Sequence, residues 1–294
     1  MSIVAVVGLG AMGSRIARRL LDQRHSVVVW NRTSERAAAL AELGATPVAS
    51  PAEAAARATV VLTMVSDDAA LRAVTEGRSG LIAGAGPSLT IIQMSTVGLS
   101  TTARLACSLP QDGELLDAPV LGSLTEAEGG TLRIFVGGER SLYERWASLL
   151  SVLGSPVHVG PLGAGTAAKL VANSTLFGTL SVLGEALALA DALGLPRETA
   201  FDVLAATPLA AQAERRRESL ESGDYPPRFA LSLARKDADL ILEAAGASGV
   251  ELRLLAAARA WLAEAEDAGR GSSDYSAVLA EILSRSTGSR PQAG

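Results

Sequence analysis

Along the first half of the chain, short β-branched runs at residues 3–7, 27–30, 60–64, 91–93 and 134–136 alternate with Ala-rich segments of helical character. Unbroken apolar runs separated by helices predict a parallel sheet covered on both faces. After about residue 163 these runs stop, and Leu- and Ala-rich segments with helical periodicity predict an all-α second half. The longest helix is expected to begin after Gly163-Ala164-Gly165, with Thr166 as its cap, and to end at Leu193, where Gly194 and Pro196 supply a stop signal. At about 1.5 Å per residue it reaches about 40 Å, long enough to join two domains. The pattern therefore divides the chain into residues 1–163, a helical domain over 164–284 and a frayed tail over 285–294. Further helices are expected over 197–206, 230–245, 251–268 and 274–284, and the Arg215-Arg216-Arg217 run, flanked by Glu214 and Glu218, reads as a solvated helix face.

Composition removes several function classes. With 294 residues, 48% of them hydrophobic, the chain can bury a sizeable core and is too apolar for intrinsic disorder. A net charge of −5 gives nucleic acid no general electrostatic footprint, so no nucleic-acid partner is expected. The single cysteine, Cys107, and two histidines, His25 and His158, rule out an internal disulfide and leave too few ligands for a typical zinc site; a reducing, cytoplasmic location and no metal are expected. Residues 3–7 run directly into glycines and lack the basic start and cleavage site of a signal peptide. The apolar stretch 171–195 has the length of a membrane span, but Asn173, Glu185 and Asp191 interrupt it, so it reads as a buried helix of a protein with no membrane partner.

Candidate chemistry begins at Gly8-Leu9-Gly10-Ala11-Met12-Gly13, directly after the first strand and opening a helix. This is the context of a dinucleotide fingerprint: Gly8 for a tight turn, Gly10 for approach of a pyrophosphate, Gly13 for close helix–strand packing, with Ala11 and Met12 at a helix N-terminus that offers N–H donors to the anion. The second strand leads into Asn31-Arg32-Thr33, where an NAD-binding protein usually carries an acidic residue for the ribose 2′-hydroxyl. An arginine between two short polar residues suits a 2′-phosphate instead, so NADP(H) is preferred over NAD(H); stacking of Arg32 on adenine, with either cofactor accepted, is the alternative. Lys169 and Asn173, four residues apart, share one face of the long helix. The helix dipole and burial both disfavour an ammonium there and suit acid/base work, but spacing alone favours a snorkelling surface lysine.

Four segments in order carry a resemblance over almost the whole chain: Gly8 to Gly13; Asp117-Ala-Pro-Val-Leu121-Gly122-Ser123, followed by Ala127, Gly130 and Leu132; Gly163 to Asn173 with Lys169; and Lys236-Asp237. Together they resemble the β-hydroxyacid dehydrogenase family, which includes 3-hydroxyisobutyrate dehydrogenases, tartronate semialdehyde reductases and glyoxylate/succinic semialdehyde reductases. The resemblance implies a Rossmann-type α/β N-terminal domain and an all-α C-terminal substrate and dimerisation domain joined by a long interdomain helix, a homodimer formed through the helical domain, and a small-molecule substrate reduced in a cleft at the carboxyl edge of the sheet. It implies that Lys169 protonates a carbonyl oxygen, that Asn173 orients the substrate or the lysine, that Thr96 lies beside the nicotinamide, that Val65 and Ser66 form the loop under the cofactor, and that Lys236 closes over it. For Lys236 a surface pairing with Asp237 or Asp239 is the competing reading.

One departure bears on substrate. Where members acting on small hydroxy acids usually carry a serine that helps to hold the carboxylate, this chain has Leu121, which donates no hydrogen bond. Gly122 and Ser123 remain as candidates for that task. A bulkier, less polar carbonyl compound is the alternative substrate, and imine reductases, which share the architecture and the Asn-Arg-Thr-like preference, are the alternative enzyme. Those enzymes typically lack the lysine, so Lys169 argues against them, as it does against a non-enzymatic cofactor-binding module.

Overall fold

The computed structural model describes residues 2–87 and 89–287, and the chain divides into two compact units, residues 1–169 and 170–294. In the first, strands β1 (Ile3–Val7), β2 (Ser26–Trp30), β3 (Thr46–Pro47), β4 (Val60–Thr63), β5 (Thr90–Gln93), β6 (Glu114–Asp117), β7 (Val120–Leu121), β8 (Leu132–Gly137) and β9 (Gly154–Gly160) form one sheet. Its order is β3-β2-β1-β4-β5-β6-β8-β7, with β9 also pairing with β8. From β3 to β6 every pairing is parallel; β8 runs antiparallel to β6 and β7, and β9 is parallel to β8. Helices α1 (Ala11–Asp22), α2 (Ser34–Ala41), α3 (Pro51–Arg57), α4 (Asp68–Thr75), α5 (Leu81–Gly84), α6 (Leu99–Ser108), α7 (Leu124–Gly129) and α8 (Arg140–Leu153) supply the connections.

The unbroken apolar runs follow from burial on both faces. In β1, Val4 and Val6 enter one core cluster with Ile16 and Leu20 of α1, while Ala5 and Val7 enter a second with Leu71 and Leu81. β4 and β5 divide in the same way, Leu62 and Ile92 to the first cluster, Val61 and Ile91 to the second. This is the Rossmann-type α/β arrangement expected from the pattern.

The long helix α9 (Ala164–Ala192) leads into the second unit, followed by α10 (Arg197–Ala205), α11 (Ala210–Ser222), α12 (Leu231–Ala247), α13 (Arg253–Ala265) and α14 (Val278–Thr287). Phe177, Leu180, Leu183 and Leu187 of α9 pack with Phe201, Leu231, Ile241, Leu262 and Ile282 in a single core. At Gly184 an added Cβ would lie 2.6 Å from the Ile282 Cδ1, so the glycine allows α9 and α14 to pack closely. α9 is long and apolar enough to cross a membrane, but Asn173 and Ser181 are buried along it beside its core residues, the pattern of a core helix.

Four expectations are corrected. The long helix starts at Ala164, which puts Gly165 and Thr166 inside its first turn, so Thr166 is not its cap. Strands β3, β6, β7 and β9 carried no β-branched run long enough to mark them: β3 and β7 are two residues each, and β9 is interrupted by Pro156 and His158. The arginine run is not uniformly solvated: Arg216 is 6% exposed, donates a 2.6 Å hydrogen bond to the Tyr275 hydroxyl and lies 3.7 Å from Asp274. Finally, α14 continues through Thr287, because Arg285 pairs with Glu281 one turn back; the remainder of the expected tail, 288–294, lies outside the described residues.

Candidate active site

The glycine loop has the shape its sequence requires. Gly8 has φ +97°, and a Cβ there would sit 2.3 Å from the Met64 carbonyl oxygen; at Gly13 it would sit 1.9 Å from the Gly8 oxygen. Both positions exclude any side chain. At Gly10 the nearest atom would be Arg36 Nη1 at 3.9 Å, so this glycine leaves open ground before the start of α1. The first turn of α1 carries no acidic residue and no side-chain cap, which leaves it suited to an anion. The loop is held from behind: Leu9 N–H donates to Asn31 Oδ1 at 2.9 Å, Asn31 Nδ2 donates to the Thr33 carbonyl at 2.9 Å, and Arg36 donates to the Leu9 carbonyl at 3.2 Å. Asn31 thus ties the glycine loop to the Asn31–Thr33 turn, while Arg32 and Thr33 are exposed.

Arg36 was not among the sequence candidates, although its place in the first turn of α2, four residues beyond Arg32, was a usable signal. Beside it lies a groove of about 500 Å³ lined by Gly10, Ala11, Ser14, Arg15, Arg36 and Leu40, among others. An open glycine, an uncapped helix start and the nearby Arg36 fit a dinucleotide phosphate; of the other arginines lining the groove, Arg15 is paired with Glu128 at 2.6 Å.

Along the same sheet edge the loops are joined to one another. Val65 N–H donates to Ser95 Oγ at 2.9 Å, and Gly98 N–H to Asp68 Oδ1 at 3.0 Å, so the Val65–Ser66 loop and the Thr96 loop are fixed as a pair. Ser95 is itself gripped by the buried Gln93 side chain on both its N–H and its carbonyl. Val65 and Thr96 are half-buried, and Ser66 is exposed.

At the end of β6, Asp117 is fully buried and accepts hydrogen bonds from Gly163 N–H (2.8 Å), Thr166 N–H (2.6 Å) and the Thr166 hydroxyl (2.9 Å). The carboxylate therefore caps α9 from the neighbouring strand. Burial pushes the Asp117 carboxyl above its usual range, against the pull of those hydrogen bonds. Lys169, one turn further along α9, is 8% exposed.

Leu121 is 36% exposed at the end of β7, and Gly122 has φ +142° with Leu132 Cδ2 only 2.8 Å from where a Cβ would be. Ser123 turns both its N–H (2.7 Å) and its hydroxyl (2.5 Å) to Glu126 Oε2 at the start of α7.

In the second unit, Asn173 Nδ2 donates to Asp237 Oδ2 at 2.8 Å, and Lys236 Nζ lies 2.7 Å from Asp237 Oδ1. Asp239 is taken by Arg235 and Arg259. Asn173 and Asp237 are 0% and 2% exposed, and the Asn173 amide oxygen accepts no hydrogen bond among the described residues. Asp237 is a second residue that sequence reasoning cited only as a motif member and a surface partner; its spacing to Asn173, 64 residues away, carries no local signal.

A sheet domain with this glycine loop, continuing through one long helix into a helical domain, defines an NAD(P)-dependent dehydrogenase or reductase. Two family models follow the chain in that order: the NAD binding domain of 6-phosphogluconate dehydrogenase over residues 3–162 and the NAD-binding domain of NADP-dependent 3-hydroxyisobutyrate dehydrogenase over residues 163–282. The 3-sulfolactaldehyde reductase of Escherichia coli K12 is 34% identical over 96% of both chains. The structure of Mycobacterium tuberculosis 3-hydroxyisobutyrate dehydrogenase with L-serine is similar with a TM-score of 0.86 and 28% identity, covering 96% of this chain and 99% of that one. An imine reductase from Pseudomonas sp. is more distant, with a TM-score of 0.61 and 25% identity over 96% and 99% of the two chains. The chain belongs to the β-hydroxyacid dehydrogenase family.

Proposed function

We propose that the protein is an NADP(H)-preferring reductase that transfers hydride between nicotinamide and the carbonyl carbon of a small hydroxy acid or semialdehyde, with Lys169 as general acid in reduction and general base in the reverse direction. The observation that carries this reading is the burial of Lys169 on a helix whose first turn is bound to the sheet by Asp117. The cofactor, when bound, supplies the hydride. Gly10, Ala11, Met12 and the start of α1 receive its pyrophosphate, and Arg32 with Thr33 and Arg36 receives the 2′-phosphate. Val65, Ser66 and Thr96 shape the floor and side of the nicotinamide position. As negative charge grows on the substrate oxygen, the Lys169 ammonium stabilises and then protonates it. Asn173, held by Asp237, orients the reacting groups, and Lys236 covers the cofactor.

The E. coli relative is named for an aldehyde that carries a sulfonate, which supports a substrate bearing an acid group. Against the smallest acids stand Leu121 and the engagement of both Ser123 donors by Glu126. These favour a second reading, a bulkier and less polar carbonyl compound or a cyclic imine, in which Leu121 supplies apolar contact. The enzyme is proposed to act in the cytoplasm as a homodimer formed through the helical domain.

The test is NADPH consumption with glyoxylate, succinic semialdehyde, methylmalonate semialdehyde, tartronate semialdehyde, a bulky ketone and a cyclic imine, for wild type and Lys169→Ala. Turnover of the semialdehydes that falls by about 100-fold or more in the variant supports the first reading. Turnover confined to the bulky ketone or the imine supports the second. Undiminished turnover by Lys169→Ala removes the lysine mechanism.

A further inference from the structure

Asp117 is a buried carboxylate that no step above uses. It has no cationic partner among the described residues, and its hydrogen bonds to other residues go to the start of α9. Room for it is made by two glycines. A Cβ at Gly137 would lie 2.3 Å from Asp117 Oδ1, and one at Gly165 would lie 2.3 Å from the Asp117 carbonyl oxygen and 2.5 Å from that of Phe135. The first turn of α9 is thereby seated directly on the ends of β6 and β8. The Thr102 hydroxyl, 3.2 Å from that of Thr166, adds a third element, α6, to the same anchorage.

Gly165 and Thr166 precede Lys169 by four and three residues, so the anchored turn and the lysine share one helix face. A displacement of this turn along or about the axis displaces the lysine by the same amount. We propose that Asp117 is a positioning residue for Lys169: by capping α9 it fixes the depth and rotation at which the lysine meets the substrate oxygen. The inference rests on the lysine mechanism proposed above. A misplacement of about 1 Å in such a group costs about 100-fold in rate, so the effect is expected in turnover rather than in nucleotide binding.

The experiment compares Asp117→Asn, Thr166→Val, Thr166→Ser and Lys169→Ala on the full chain, measuring kcat and the KM for NADPH with the best substrate of the panel. Asparagine sets an NH2 against one of the two N–H donors. Valine removes the Thr166 hydroxyl and keeps its N–H, and serine restores the hydroxyl. The expected result is a kcat lower by about 30-fold in Asp117→Asn and about 5-fold in Thr166→Val, wild-type kcat in Thr166→Ser, and an NADPH KM within about twofold throughout. If Asp117→Asn does not fold, the valine and serine pair decides alone.

Wild-type kcat in Asp117→Asn and Thr166→Val overturns the proposal. So does a rise in NADPH KM that accounts for the whole loss, because the defect then lies in the nucleotide-binding sheet. An inactive Lys169→Ala beside unaffected Asp117 and Thr166 variants sinks the positioning role alone, whereas an active Lys169→Ala sinks the lysine mechanism and this inference with it.

Discussion

The Asn173 side chain gives one of its amide hydrogens to the Asp237 carboxylate at 2.8 Å, and both residues are withdrawn from solvent. The same carboxylate holds Lys236 at 2.7 Å, so one buried acid serves two residues to which the family resemblance gives a place at the site.

Replacing Asp237 by Ala frees Asn173 to rotate and leaves a buried amide with one partner fewer, at a cost of about 1–3 kcal/mol in stability. The catalytic loss is expected to be about 10-fold or more in kcat/KM. Steady-state kinetics and a melting curve check both parts; an active, equally stable Asp237→Ala enzyme would show that Asn173 is held by its packing alone.

Cofactor choice is tested at two arginines. Arg32→Asp and Arg36→Ala are each expected to raise the KM for NADPH by about 10-fold or more while changing that for NADH by less than about twofold, because only NADPH carries the 2′-phosphate. Parallel losses with both cofactors from Arg36→Ala would assign that arginine to the Leu9 carbonyl, which it already touches.

Asp117 makes stability depend on pH in a direction opposite to that of most carboxylates. Its folded-state pKa is raised by burial, so the folded protein takes up this proton at a higher pH than the unfolded chain does. Stability from this group therefore rises as pH falls from the raised value to the ordinary carboxylate range, and is level below it. The difference in Tm between wild type and Asp117→Asn should shift in favour of wild type on acidification through that window. A difference that is constant or moves the other way contradicts the assignment.

Gly165→Ala drives a Cβ against two backbone oxygens, 2.3 and 2.5 Å away. Neither has a flexible end that moves aside, and a loss of about 1–3 kcal/mol or more is expected in chemical denaturation. Gly246→Ala in α12, where nothing lies within 4 Å, is the control, expected to be neutral or to gain up to about 1 kcal/mol.

The proposed homodimer has a candidate seam on α9. Val171, Val182 and Leu189 are 67%, 45% and 59% exposed and follow one another at intervals that keep them on one helix face with Thr175. Val182→Asp is expected to halve the mass measured by sedimentation. A wild-type monomer, or a variant that remains dimeric, removes α9 as the interface.

Strands β1, β2, β4 and β5 were legible because each is an apolar run buried on both faces, as Val4 to Val7 illustrate, whereas β6 fills both cores with only Leu115 and Leu116. Gly8 and Gly13 were legible because the backbone conformation and close approach they serve admit only glycine. What the chain did not disclose depends on distance. The cap of α9 comes from Asp117, 49 residues before Thr166, and a local rule gave that place to Thr166 itself. Arg216 finds Tyr275 59 residues later, so a run of three arginines looked uniformly solvated. Ser123 is a different case: Ser123 and Glu126 form the Ser-x-x-Glu capping box at the start of α7, a local signal that the reading of Ser123 as a substrate contact passed over.

The seating of α9 has a consequence for recombining relatives of this family. The natural point of exchange, where one family model ends and the next begins, lies between residues 162 and 163. A chimera made there takes its lysine from one parent and the carboxylate that seats it from the other. The two glycines that make room are divided in the same way, Gly137 with the first parent and Gly165 with the second. Partners for such a graft are therefore chosen by whether their β6 ends and helix starts match, a criterion that sequence identity averaged over either half does not capture.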